Sequence, residues 1–244
     1  MIPAVIPLPV LLVGGGAAAL LAAGLVLRSF GPGDRLGRLL AGTPHVTVEE
    51  ALSQARQGDG RYVRVDGRID SAAEFEDEHH RPLVFRRRRI QARLRDRWET
   101  IDERREAVSF EVREGLASLA IDTDGLGDGL VVIPREASGT AADVRDHVAT
   151  DVPDGTPVRM RIEQVSSVEH AIVLGVPVAA GDGSVIIGPG RGRPLVLTTL
   201  DVPEAMRLLA GGRRARTALA ATLLAAGAVA IVAGLAWALL DGLR

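Results

Sequence analysis

The residues with the most chemical potential lie between positions 74 and 97. Glu74, Glu76, Asp77 and Glu78 come first, then His79, His80 and Arg81. An unbroken run from Arg86 to Arg89 follows, with Arg93, Arg95 and Arg97 beyond. One chemistry this suits is a basic surface beside anionic lipid headgroups, where each Arg is worth about 1 kcal/mol. The plainer reading is a hairpin with solvated faces, its acids and arginines partly paired across strands. In either case the candidate interaction residues are Arg86, Arg88, Arg93, Arg95, His79 and His80. The two histidines beside carboxylates also raise the question of a metal. Neighbours on a strand point to opposite faces, so they make a poor bidentate pair.

Other chemistries are excluded by what the chain lacks. It has no Cys, which removes disulfides, thiolate nucleophiles, Fe–S clusters and Cys-based zinc sites. It has no Lys, so Schiff-base and Walker-type lysines are absent too. No G-x-S-x-G, S-x-x-K, P-loop or H-E-x-x-H occurs. GGGAAALLAAG lies inside an apolar run without a strand before it, so it is no dinucleotide fingerprint. GPGRG near 188–192 reads as a turn. No catalytic residue, cofactor or metal is expected. A net charge of −2 and 3% aromatics give no sign of nucleic-acid binding.

The elements that would position the charged segment lie between two apolar runs. Residues 2–27 and 217–240 carry no charge, and every charged residue except Asp241 and Arg244 falls within 28–216. A 24-residue helix is about 36 Å long against a hydrocarbon core of about 30 Å, so both runs are expected to span a membrane. The first lacks a basic leader and reads as an uncleaved anchor, with Pro3, Pro7 and Pro9 near its start. Small residues recur every fourth position: Gly15, Ala19, Ala23 on one run, and Ala226, Ala230, Gly234, Ala238 on the other. Such stripes suit helix pairing within the chain or a homo-oligomer. Arg28, Arg35, Arg38, Arg207, Arg213, Arg214 and Arg216 flank the inner ends; only Arg244 and the α-amino group lie outside. Positive-inside counting puts the middle domain in the cytoplasm and the termini outside. The expected boundaries are 1–28 and 213–244 for anchors and 29–212 for the domain.

The middle reads as mainly β. TVEEALSQARQ makes a short helix with a capping box from Thr47 to Glu50, and DVPEAMRLLAGG makes a second with Asp201 as its cap. Between them RYVRVDGRI, PLVFRRRRIQARL, AVSFEV, LASLAID, LVVIP, TPVRMRIEQV, HAIVLGVPVAA, SVIIG and PLVLTTL are short β-type runs split by Gly, Asp and Pro. That is the pattern of a small barrel or sandwich. Residues 135–155 read as a polar loop with a helical turn. The expected core is Val63, Val65, Ile69, Trp98, Phe110, Val112, Leu119, Ile121, Val158, Met160, Ile162 and Val173.

The order of these segments resembles the GIDE family, whose middle module is the beside-a-membrane (BAM) domain. The stretches that carry it are TVEEALSQARQ, RYVRVDGRIDS, HHRPLVFRRRRIQ, Trp98, VSFEVREGLASLAIDTDG, VPDGTPVRMRIEQV and RPLVLTTLDVPEAMRLLAGG. The best-known relatives are mitochondrial and chloroplast E3 ubiquitin ligases bearing a RING. A chain with no Cys cannot build a RING, so ligase chemistry does not carry over. The resemblance implies a membrane-anchored module that binds proteins; with the basic segment, the reading is a non-catalytic module for protein or lipid interaction. The alternative is a ligase-like component using a RING from another chain. A channel role is disfavoured, because the apolar runs hold no ionisable residue.

Overall fold

The alternation in RYVRVDGRID does what period two dictates. Val63, Val65 and Ile69 point one way from β1 (Val63–Asp70) and are buried. The structure, a computed structural model, describes residues 8–28, 32–147, 152–181, 183–211 and 213–242. It divides into two compact units, Arg38–Leu208 and the two terminal segments taken together, to Gly37 and from Leu209.

In the larger unit, β1 pairs antiparallel with β5 (Glu111–Glu114), and β5 with β6 (Ala117–Ile121). The β6 strand runs parallel to β11 (Val185–Gly188), and β11 pairs antiparallel with β10 (His170–Ala179). Finally β10 pairs back onto β1, from Val63 opposite Gly175 to Arg68 opposite His170. The five strands therefore close on themselves, in the manner of an OB-type Greek-key barrel. Two short strands, β12 (Val196–Thr198) and β7 (Leu130–Val131), extend the sheet beyond β10. The barrel is filled by Val65, Val112, Leu119, Val173, Ile187, Leu195 and Leu197, all fully buried. One mouth is covered by α3 (Val48–Gln57), which buries Val48, Ala51 and Ala55. The capping box is formed: the Glu50 amide donates to Thr47 Oγ1 at 3.2 Å and the Thr47 amide to Glu50 Oε2 at 2.9 Å.

The long insertions after β1 and after β6 together build a half-barrel. It consists of β2 (Phe75–Glu76), β3 (Pro82–Leu94), β4 (Arg97–Ala107), β8 (Arg135–Thr140) and β9 (Pro157–Ser166), with β4 and β9 on either side of β3 and β8 outside β9. Phe85 and Val165 anchor it to the main core. Its far end has a small cluster of its own, where Ala92 and Val158 pack with Ala141 of a 3-10 helix, Ala141–His147.

Three expectations are corrected here. Residues 135–140 are a strand, paired along their length with β9, and the polar stretch 97–107 is one as well. Trp98 is 40% exposed, because it lies near the hairpin tip, where the Arg159 guanidinium stacks on its ring at 4.6 Å. Met160 and Ile162 are half-buried: β9 turns Glu163 and Val165 toward the barrel and leaves 160 and 162 on the opposite face. The other nine expected core residues are buried.

The terminal unit holds α1 (Leu8–Arg28) and α5 (Arg213–Gly242). Among the described residues one helix, Ala218–Leu240, is long and apolar enough to cross a membrane. The apolar part of α1 within the described residues, Leu11–Val26, is shorter. Of the two expected spans, the described residues show one helix of spanning length. Pro3 and Pro7 lie outside the described residues. The two helices touch closely: a Cβ on Gly16 would stand 2.6 Å from Ile231 Cγ1 and 2.7 Å from the Gly227 carbonyl oxygen. The buried small residues are Gly16 and Ala23 on α1 and Ala220, Gly227 and Gly234 on α5. Their spacing is seven, the coiled-coil repeat, rather than the four read from the sequence. A Cβ on Gly15 would meet nothing within 4 Å, and Ala226 and Ala238 are exposed.

Candidate functional site

Alternation along β3 splits the arginine run between two faces. At odd positions the Arg89 row is balanced in charge, whereas Arg87 has Arg105 opposite it on β4 as well as Glu163 on β9. Glu136, Arg161, Arg89 and Glu103 stand opposite one another across four strands. Arg89 Nε donates to Glu103 Oε2 at 3.0 Å, and that bond holds the Glu103 carboxyl below the usual range. Arg87 lies next to Glu163 and is buried with it. Its Nε donates to Glu163 Oε2 at 2.6 Å and its Nη1 to the Gly127 carbonyl at 2.9 Å.

The even positions form two rows. Arg86 pairs with Glu106 at 2.5 Å in a row completed by Gln164. The next row reads Arg135, Ile162, Arg88, Arg104 across β8, β9, β3 and β4. Strands lie about 4.8 Å apart, so Arg88 and Arg104 are direct cross-strand neighbours of like charge, an arrangement that destabilises a sheet. Their compensation is thin. Asp102 lies 3.5 Å from Arg88 and 3.7 Å from Arg104. Arg135 has Asp77 at 3.9 Å. Arg88 Nε is buried with no hydrogen-bond partner.

These side chains line a groove of about 490 Å³ with Asp77, Glu78, Arg86, Arg105, Glu106, Ile162 and Gln164. It adjoins a recess of about 200 Å³, which shares Arg135, Ile162 and Gln164 and adds Leu83, Val132, Ile133 and Leu200. Asp77 braces the rim. Its buried carboxylate accepts from the His79 and Arg81 amides at 2.8 and 3.0 Å and from Arg81 Nε at 2.8 Å. The Arg81 bond leads in holding this group far below the ordinary carboxylate range.

Of the residues singled out from sequence, Arg86 and Arg88 are therefore groove residues. Arg93 and Arg95 are not with them. Arg93 faces Trp98 across the hairpin and pairs with Asp96 at 3.0 Å. Arg95 occupies the two-residue turn with Asp96, both at positive φ, as a type I′ hairpin turn requires. His79 and His80 lie in the turn between β2 and β3 rather than on a strand, and His80 Nδ1 is 2.6 Å from Glu76 Oε2. Among the described residues no group of three or more His, Asp or Glu is gathered for a metal. Sequence reasoning missed Arg104 and Arg135, because each lies on a strand not recognised as one. The arginines do pair across strands, as the hairpin reading expected, yet the partners of Arg86, Arg88 and Arg89 come from 102–106 and not from the acids at 74–78.

Compared with known proteins, the chain matches no family model, no curated protein and no solved structure. The functional reading therefore rests on the geometry above. The groove lining offers guanidinium forks, three carboxylates and an amide for binding, with no hydroxyl or imidazole among the described lining residues.

Proposed function

We propose that this protein is a membrane-anchored, non-catalytic interaction module of GIDE/BAM type, which presents its half-barrel to proteins or lipid headgroups at the membrane surface. The observation that carries it is a groove with under-compensated arginines in a domain joined directly to an apolar helix of membrane-spanning length. An enzyme would need an activated nucleophile or a tuned acid and base, whereas arginines held on rigid strands suit recognition. In this reading α1 and α5 both anchor the chain, paired through Gly16 and Gly227, and the Arg-rich inner flanks keep the domain in the cytoplasm.

The test uses the full chain. It should resist extraction by alkaline carbonate. Partners captured with it from gentle detergent should be lost when Arg86, Arg88, Arg104 and Arg135 are all changed to Gln. Release by carbonate, or an unchanged set of partners with the fourfold variant, would overturn the reading.

A further inference from the structure

We infer that the Arg135–Arg88–Arg104 row is a binding site for a phosphoryl dianion carried on a small organic group, a phosphomonoester. This rests on the reading of the half-barrel as a recognition surface and names its ligand class.

The argument is one of charge and shape. Three guanidinium groups stand in one row of the sheet. The carboxylate Asp102 is shared by two of them at 3.5 and 3.7 Å, too far for good hydrogen bonds. Asp77, the acid nearest Arg135, is already committed to Arg81. With Asp102 counted, the row is left with two positive charges. On the opposite face of the same strands, each arginine of the Arg89 row has an acid beside it. The Arg135–Arg88–Arg104 row lacks that compensation, and its deficit marks a place for an anion from outside. Arg88 Nε, buried without a hydrogen-bond partner, adds to the evidence that the row is not satisfied from within the sheet. Guanidinium forks match phosphoryl oxygens, and two charges match a monoester better than a diester or a single carboxylate. The neighbouring recess lined by Leu83, Val132 and Ile133 gives the ester group an apolar place to lie, which inorganic phosphate would not use.

The experiment is a titration of the full-length protein, in phosphate-free zwitterionic detergent, with hexyl phosphate, inorganic phosphate and hexyl sulfate. Hexyl phosphate is expected to raise the thermal midpoint and to bind at least tenfold more tightly than the other two. Arg88→Gln and Arg104→Gln should each weaken it at least tenfold, and the ligand-free midpoint of Arg104→Gln should be no lower than that of the parent, because a like-charge contact is gone. Arg61→Gln, remote from the groove, should change nothing. Phosphatidic acid in phosphatidylcholine nanodiscs distinguishes the source: competition with hexyl phosphate assigns the site to a lipid headgroup, and its absence to a soluble ester, both within the proposal. Equal binding of hexyl phosphate and hexyl sulfate, undiminished binding by Arg104→Gln, or no binding by the parent would overturn it. In the last case the fourfold-variant capture still decides whether the half-barrel recognises something else.

Discussion

Arg87 shows how far a single residue can be from its apparent role. In the run RRRR it looks like one more solvated cation, yet its side chain is 8% exposed and so is that of Glu163. Removing one member of a buried pair strands the other without water, at a cost of about 3–5 kcal/mol. Arg87→Met is therefore expected to lower stability by that amount in urea unfolding, while Arg87→Met with Glu163→Leu recovers most of it. Asp77 makes a second prediction at this scale. Its pKa lies far below the ordinary value of about 3.9, so its contribution is present above that pH and is lost as pH falls toward the folded value. Asp77→Asn should flatten the acid limb of a stability–pH curve below about pH 4 and leave the alkaline limb unchanged. Tyr62 acts at that other end. Burial pushes its hydroxyl up to about 12, and the hydroxyl donates to the Pro194 carbonyl at 2.7 Å. Its neutral form is the one folding favours, so stability should begin to fall above about pH 10 and continue to fall up to about 12; Tyr62→Phe should lose that decline.

At the level of elements, legibility followed the contrast between faces. PLVFRRRRIQARL was readable as a strand to the residue, because its ends are apolar and it opens on Pro82. The stretch RWETIDERREA was not, although it is the partner of that strand. It buries almost nothing, so it has no period-two signal, and the cross-strand ion pairs that hold it are invisible without the register. The same gap hid Arg104, and with it the row that makes the groove. On the helices the composition showed small residues but could not choose among stripes in so Ala-rich a sequence. Packing chose a seven-residue one. Gly227→Leu should therefore lower the midpoint of helix loss in detergent, since a Cβ there would already stand 2.9 Å from the Gly16 carbonyl oxygen. Gly14→Leu, with open space around it, is the control and should leave the midpoint in place.

For the molecule as a whole, the terminal segments belong to one unit and the β domain to another. In the proposed orientation, with the arginines of both flanks on the inner side, protease added to intact spheroplasts is expected to spare the domain while it remains active on externally exposed controls. Digestion of the domain with a cytoplasmic marker intact would reverse the orientation. The ring closure of the barrel has a further consequence, for timing. The strands that close it, β1 and β10, are far apart in the chain, and both insertions of the half-barrel lie between them. Contacts of such long sequence separation form slowly. The last barrel strand ends at Gly188 and α5 begins at Arg213, 25 residues later. At a synthesis rate of roughly 5–20 residues per second, the ribosome covers that gap in about 1–5 s. In the proposed membrane-anchored arrangement the ring closes at nearly the moment the apolar tail reaches the insertion machinery, and a cell making this protein has to keep an unfinished β-sheet soluble beside the membrane for that interval.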